Sequence, residues 1–202
     1  MMVAASQIEQ PMRMTEAEYL QFEENSDTKH EFVNGEIIAM TGASWKHGAI
    51  CTNLSIAIGR QLINKDCMLF AGDLRLKVVS TVSYRYPDVM VICGEPEFVD
   101  KRVDTISNPI LIIEVQSPST ELIDRNPKLR EYRQLDTVQE YLLVTQNEAR
   151  IERFLRQDTD SWLYTETVGL ENNIALPSIG CVIALSDVYN KLTLDSDSEE
   201  ST

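Results

Sequence analysis

At 202 residues, 43% hydrophobic and 25% charged, the chain has the composition of one globular domain long enough to bury a core without a stapling metal or disulfide; collagen, a coiled-coil rod and a wholly disordered chain are excluded. Its 32 acidic against 18 basic residues leave a net charge of −14, of which Asp195, Asp197, Glu199 and Glu200 carry four. That sign argues against a duplex binder that relies on bulk phosphate neutralisation and against stable docking on an anionic membrane.

Residues 1–13 are expected to be a flexible N-terminus, 14–192 the folded domain and 193–202 a disordered acidic tail. Thr15-Glu16-Ala17-Glu18 has the form of a capping box and predicts a short helix to about Glu24. Asn34-Gly35 between His30–Val33 and Glu36–Met40 predicts a hairpin with a type I′ turn, because Asn and Gly tolerate the positive φ that turn requires. The turn pairs Val33 with Glu36 and Glu31 with Ile38. Alternation then places these four on one face and Phe32 with Ile37 on the other.

Ser44 is a candidate cap for a long helix from Trp45 to about Asn64, with an apolar stripe at Ile50, Leu54, Ala57, Ile58 and Leu62. Strands are predicted at Cys67–Ala71, Leu74–Val79 and Pro87–Cys93, and a loop at 94–108. Ile110–Val115 is apolar enough for a strand buried on both faces. A helix is predicted over Lys128–Leu135, with Pro127 at its first turn. Glu140–Thr145 reads as a buried strand, and Arg150–Arg156 with Trp162–Thr167 as an antiparallel pair. The order of elements gives an α/β layer fold: a mixed β-sheet flanked by helices, with an N-terminal helix and β-hairpin.

Cys51, Cys67, Cys93 and Cys181 have no metal-knuckle spacing and are expected as reduced thiols. Met1–Met14 has no signal-peptide pattern, and no apolar run approaches the roughly 18 residues of a membrane span, so the expected location is the cytoplasm, away from any membrane.

Two carboxylates stand out. Asp88 opens a strand after Pro87, and Glu114 ends the most apolar strand. A carboxylate so placed needs a partner, a proton or a metal. If the strands are neighbours, the two converge at one sheet edge and suit Mg²⁺, which takes oxygen ligands. The alternative is structural: Asp88 satisfied by backbone amides and Glu114 paired with an Arg. Trp45 and Trp162 read as core or edge packing. Arg125 and Arg130, among Glu121, Asp124 and Glu131, read as a solvated mixed-charge helix face.

Pro87-Asp88 followed by Glu114-Val115-Gln116 resembles the PD-(D/E)XK nuclease pattern. More closely, the chain resembles the Uma family of restriction-endonuclease-like proteins, common in cyanobacteria. The resemblance rests on His30–Ile37, Met40–His47, Tyr86–Val89, Ile113–Thr120, Asp124-Arg125, Lys128, Tyr132 and Glu140-Tyr141, and runs from about residue 15 to about residue 190. It implies a restriction-endonuclease-like fold and phosphodiester hydrolysis of DNA dependent on Mg²⁺ or Mn²⁺. Asp88 and Glu114 would hold the metal, the Val115 carbonyl would add a ligand, and Glu31 would be the acid from the N-terminal part. The pattern's Lys is replaced by Gln116. Lys128, near the start of the next helix where the family often carries a Lys, is its expected substitute. Gln116, His47 and Asp73 form a second tier, and a homodimer would span two strands. The departure at Gln116 keeps a second reading open, a catalytically silent protein with a structural or protein-binding role. A metal-free glycosidase would also use paired carboxylates, but the chain is only 7% aromatic.

Overall fold

In a computed structural model, which describes residues 13–40, 42–99, 102–117 and 121–194, the N-terminal signals act as written. Thr15 Oγ1 accepts from Glu18 N (3.3 Å), and Glu18 Oε2 accepts from Thr15 N (2.8 Å), so the box caps helix α1 (Glu16–Glu24). Strands β1 (His30–Val33) and β2 (Glu36–Ala39) pair in the expected register, Glu31 opposite Ile38 and Val33 opposite Glu36. Asn34 and Gly35 have φ of +50° and +91°, as the turn demands. Helix α2 (Trp45–Leu62) starts at Ser44, whose Oγ accepts from His47 N (3.1 Å).

The central layer is a six-stranded mixed sheet of order β11-β10-β9-β8-β6-β3. Its strands are β3 (Cys67–Ala71), β6 (Val89–Cys93), β8 (Leu111–Gln116), β9 (Glu140–Thr145), β10 (Arg150–Arg156) and β11 (Trp162–Val168). β8 runs parallel to β9 and antiparallel to β6. All six residues of β8 are buried, so the apolar run is covered on both faces as expected. On one face Val89, Val91, Leu111, Ile113 and Val144 pack on the apolar stripe of α2 and on the hairpin β12 (Asn173–Leu176) and β13 (Cys181–Ala184), which leads into α5 (Leu185–Val188). On the other, Met90, Ile92, Ile112, Tyr141 and Leu143 pack on Leu76, Val78, Ile106 and Tyr132.

Those last contacts bring in a second sheet that the single-sheet expectation lacks. It has five strands in the order β2-β1-β5-β4-β7, with β4 (Arg75–Val78), β5 (Ser83–Arg85) and β7 (Thr105–Ile106). β7 lies inside the segment expected to be all loop. It is two residues long, too short for alternation to reveal. α1 covers this sheet through Tyr19 stacked on Phe32, ring centres 4.8 Å apart.

Three further expectations are corrected. Cys67 and Cys93 face each other across the β3–β6 ladder and form a disulfide, their Cα atoms 3.9 Å apart; Cys51 and Cys181 are free thiols. Spacing along the chain does not encode which residues antiparallel register brings opposite one another. Trp45 is 68% exposed rather than core, while Trp162 lies under the guanidiniums of Arg156 and Arg133. The helix after Pro127 begins earlier, as α3 (Glu121–Ile123), a π-helical turn at Asp124–Lys128 and α4 (Leu129–Tyr132). Pro127 sits inside that turn; its missing N–H and the clash of its ring with the fourth carbonyl back favour the wider winding. The flexible-terminus and acidic-tail readings fall on 1–12 and 195–202, outside the described residues.

Candidate active site

The register of β6 against β8 brings the two leading carboxylates together. Val89 pairs with Ile113, so Asp88 stands beside the end of β8, where its Oδ2 accepts from Val115 N at 2.7 Å. Glu114 shares the face of Ile112 and meets the helix packed there. Its Oε1 accepts from Tyr132 OH (2.8 Å) and Lys128 Nζ (3.1 Å). The π-helical turn points both Asp124 and Lys128 inward, and Lys128 Nζ lies 3.0 Å from Asp124 Oδ1. Glu31 arrives from β1 with Oε1 3.6 Å from the same ammonium. Glu31, Asp88, Glu114 and Lys128 thus line one cleft, of about 400 Å³, which also takes in His47 and Asp124.

Arg85, one residue beyond the β1–β5 pairing of Phe32 with Tyr84, holds the cluster from below. Its Nη1 donates to Glu31 Oε2 (2.7 Å), and its Nε and Nη2 grip both oxygens of Glu131 (2.9 and 2.6 Å). This bidentate geometry is what a guanidinium offers and an ammonium cannot. Sequence reasoning missed Arg85 and Glu131. The available signal was a cation in a strand between Tyr84 and Tyr86, which must find a carboxylate once buried.

Charge in the cluster does not balance. The carboxylates of Glu31, Asp88, Glu114, Asp124 and Glu131 face the permanent cations Lys128 and Arg85, with His47 beside them. Burial pushes the Glu114 carboxyl up to about 8, against the pull of Lys128 and with further push from the neighbouring carboxylates. Burial opposes the charge on Lys128, but Glu114, Glu31 and Asp124 outweigh it and hold the ammonium above the ordinary lysine range. The hydrogen bond His47 donates to Asp88 raises the imidazole, with Nε2 and Oδ2 3.1 Å apart. Glu31 Oε1 and Asp124 Oδ1 are buried without a hydrogen bond and feel Lys128 through charge alone. An excess of buried anionic oxygen is the donor chemistry a hard divalent cation matches. His47, Cys51 and Asp88 also approach one another within 4.8 Å. Burial raises the Cys51 thiol far above neutrality, so it stays protonated and a poor ligand.

The second tier separates. His47 is at the site through Asp88. Gln116 is buried with neither amide atom hydrogen-bonded. Asp73 is exposed, pairs with Lys29 and does not line the cleft. Both ingredients of the structural alternative are present in part. Asp88 does accept a backbone amide, and Glu114 is ion-paired, but to Lys128 rather than to an Arg. The segment expected as a solvated face is one only in part: Arg130 is exposed, but Asp124 and Glu131 are buried, and Arg125 is bidentate to the buried Glu152 (2.8 and 2.5 Å). Alternation cannot register a helix whose winding changes midway.

Among the described residues, no helix is long and apolar enough to cross a membrane. Comparison with known proteins bears on the family and the fold. Two proteins of Synechocystis sp. (strain ATCC 27184 / PCC 6803 / Kazusa) are similar over most of their length. "Uncharacterized protein sll1609" is 41% identical over 84% of this chain and 93% of its own. "Uncharacterized protein slr1290" is 36% identical over 89% and 93%. The crystal structure of "a putative nuclease belonging to DUF820" from Anabaena variabilis ATCC 29413 superposes with a TM-score of 0.72 at 17% identity, covering 87% of this chain and 97% of that one; it shares the fold. The model of the Uma2 family, described as "Putative restriction endonuclease", matches residues 16–186, which include every residue of the cluster. The chain belongs to the Uma2 family.

Proposed function

We propose that the chain is a Mg²⁺- or Mn²⁺-dependent endonuclease that hydrolyses DNA phosphodiester bonds. The observation that carries this reading is the position of Lys128. Gln116 occupies the strand place of the pattern's lysine, yet an ammonium reaches the same cluster from the following helix, 3.1 Å from Glu114. The uncompensated buried carboxylates fit a divalent ion. Asp88 and Glu114 would hold it, with the Val115 carbonyl as a further oxygen donor. A divalent ion held there supplies Lewis acidity toward a phosphoryl oxygen and toward the attacking water.

The chain's own groups do the rest. Lys128 keeps its proton and offsets negative charge on the attacked phosphorus. Its ammonium is aimed by Glu114, Asp124 and Glu31, so little side-chain freedom remains to be lost when substrate arrives. Arg85 fixes Glu31 and Glu131 and is itself too buried to meet substrate. Tyr132 OH orients Glu114 by donating to Oε1. His47 donates Nε2–H to Asp88 and, when protonated, adds a positive charge beside that carboxylate, which couples the site to pH.

Titration calorimetry of Mg²⁺ and Mn²⁺ into wild type and Asp88→Ala, with plasmid cleavage on the same samples, tests the proposal. Metal binding lost in the variant and metal-dependent nicking by the wild type are the expected results. A wild type that binds no metal at millimolar concentration overturns it. Gln116 and the net charge of −14 favour a second reading, a silent relative that keeps the fold for a structural or protein-binding role; metal binding with no cleavage of any DNA form would favour it.

A further inference from the structure

Apart from the His47 ring, one wall of the cleft has no part in the chemistry above. The N-terminus of α2 enters it through Ala43, Ser44 and His47. An 18-residue helix ends there with first-turn amides that lack intrahelical acceptors and with the positive end of its dipole. Ser44 Oγ satisfies one of them, accepting from His47 N. The same hydroxyl spends its only hydrogen on Gln146 Oε1, at 2.6 Å.

In this arrangement the Gln146 amide carbonyl faces Ser44, and the NH₂ turns elsewhere. Gln146 is 7% exposed and lines the cleft, and its Nε2 has no hydrogen-bond partner among the described residues. Leaving a buried amide donor without an acceptor is destabilising, because its water is lost and nothing replaces it. A ligand that brings the acceptor removes that cost. The donor and the helix terminus favour the same kind of ligand, an anion with several acceptor oxygens.

We propose that Gln146 Nε2 and the first turn of α2 form a phosphate subsite. The choice of phosphate rests on the nuclease reading. Gln146 is held by Ser44 and Lys128 by Glu114, Asp124 and Glu31, so within one cleft the two donors belong to separate contact groups and are assigned to different groups of one ligand. The subsite takes a phosphate adjoining the one attacked. The substrate is then an internal stretch of backbone with phosphates on both sides, and an isolated phosphodiester is held less well.

Inorganic phosphate titrated into the ¹⁵N-labelled full chain, with and without Mg²⁺, tests this by NMR. The Gln146 side-chain NH₂ and the amides of Trp45–His47 should move together with one saturation curve. Gln146→Leu keeps the bulk and removes the donor. It should weaken phosphate by about tenfold, the worth of one hydrogen bond to an anion, and leave Mg²⁺ affinity within about twofold. Gln146→Glu, with an acceptor in place of the donor, should abolish the phosphate response. Should either variant fail to fold, the wild-type map still decides. Unmoved resonances at saturating phosphate, or equal affinity in Gln146→Leu, overturn the subsite. A wild type that binds phosphate here but no Mg²⁺ retires the nuclease reading and keeps the subsite; Mg²⁺ binding and DNA cleavage without these shifts do the reverse.

Discussion

Glu114→Gln separates what the site needs for chemistry from what the fold needs for stability. The amide is nearly isosteric, and its oxygen still accepts from Tyr132 OH and Lys128 Nζ. What disappears is an ionisable group whose folded pKa is about 8 against an ordinary 4.5. Between those values the native state keeps a proton that the unfolded chain has released. Stability contributed by that proton is full below about pH 4.5 and is lost as pH rises through about 8, at up to about 1.4 kcal/mol per pH unit. The metal-free wild type therefore weakens across this interval and Glu114→Gln does not, so the difference grows to a few kcal/mol in the variant's favour and levels off above pH 8. Urea unfolding in EDTA at pH 5, 7 and 9 reads it directly. Mg²⁺ should reverse the order, because it stabilises the wild type and loses one of its two proposed carboxylate ligands in the variant. The charge argument fails if Glu114→Gln is less stable than wild type by a pH-independent amount, or if Mg²⁺ stabilises both proteins equally.

Four other outcomes are expected. Mg²⁺ must displace the Glu114 proton, so its affinity should rise by up to tenfold per pH unit below about pH 8 and flatten above it, as measured by calorimetry. Lys128→Met should lower DNA cleavage at least 100-fold while metal still binds, since it removes the cation at the phosphorus and leaves Asp88 and Glu114 in place; a variant within fivefold of wild-type activity would remove Lys128 from the mechanism. Arg85→Met should cost roughly 3–5 kcal/mol in urea unfolding, because Glu31 and Glu131 lose their buried partner. Asp88→Asn should bring the His47 pKa down from its raised value toward the ordinary one, read from the ring-proton titration of a chain with only two histidines.

Local signals carried the elements well. The box at Thr15, the Asn34-Gly35 turn and the stripe on α2 each satisfy a requirement within a few residues, and each forms as expected. Asp88 and Glu114 were legible for a related reason, since a carboxylate bounding an apolar strand is conspicuous wherever the strand goes. Lys128 came from family resemblance alone. Its approach to Glu114 depends on the π-helical turn around Pro127, which no periodicity encodes. Arg85, Glu131 and Gln146 matter through partners 46 to 102 residues away, and the Cys67–Cys93 pair through antiparallel register. Such relations exist only once segments distant in the chain have been brought together.

Arg85 belongs to one of those sheets, and Glu114 to the other; Glu31 comes from the first and Glu131 from the helix at the seam. The ionic cluster is therefore also a fastener between two layers, made of ion pairs together with surplus carboxylates that repel one another when a cation is missing. Any perturbation that lets the layers slide, even one on the far side of the five-stranded sheet beneath α1, would be felt first as a displacement of Glu31 relative to Glu114. The spacing of the acids is a mechanical readout of how the layers are seated. Selection for a working site then acts on packing residues such as Phe32, Tyr84 and Ile112, which never meet a ligand.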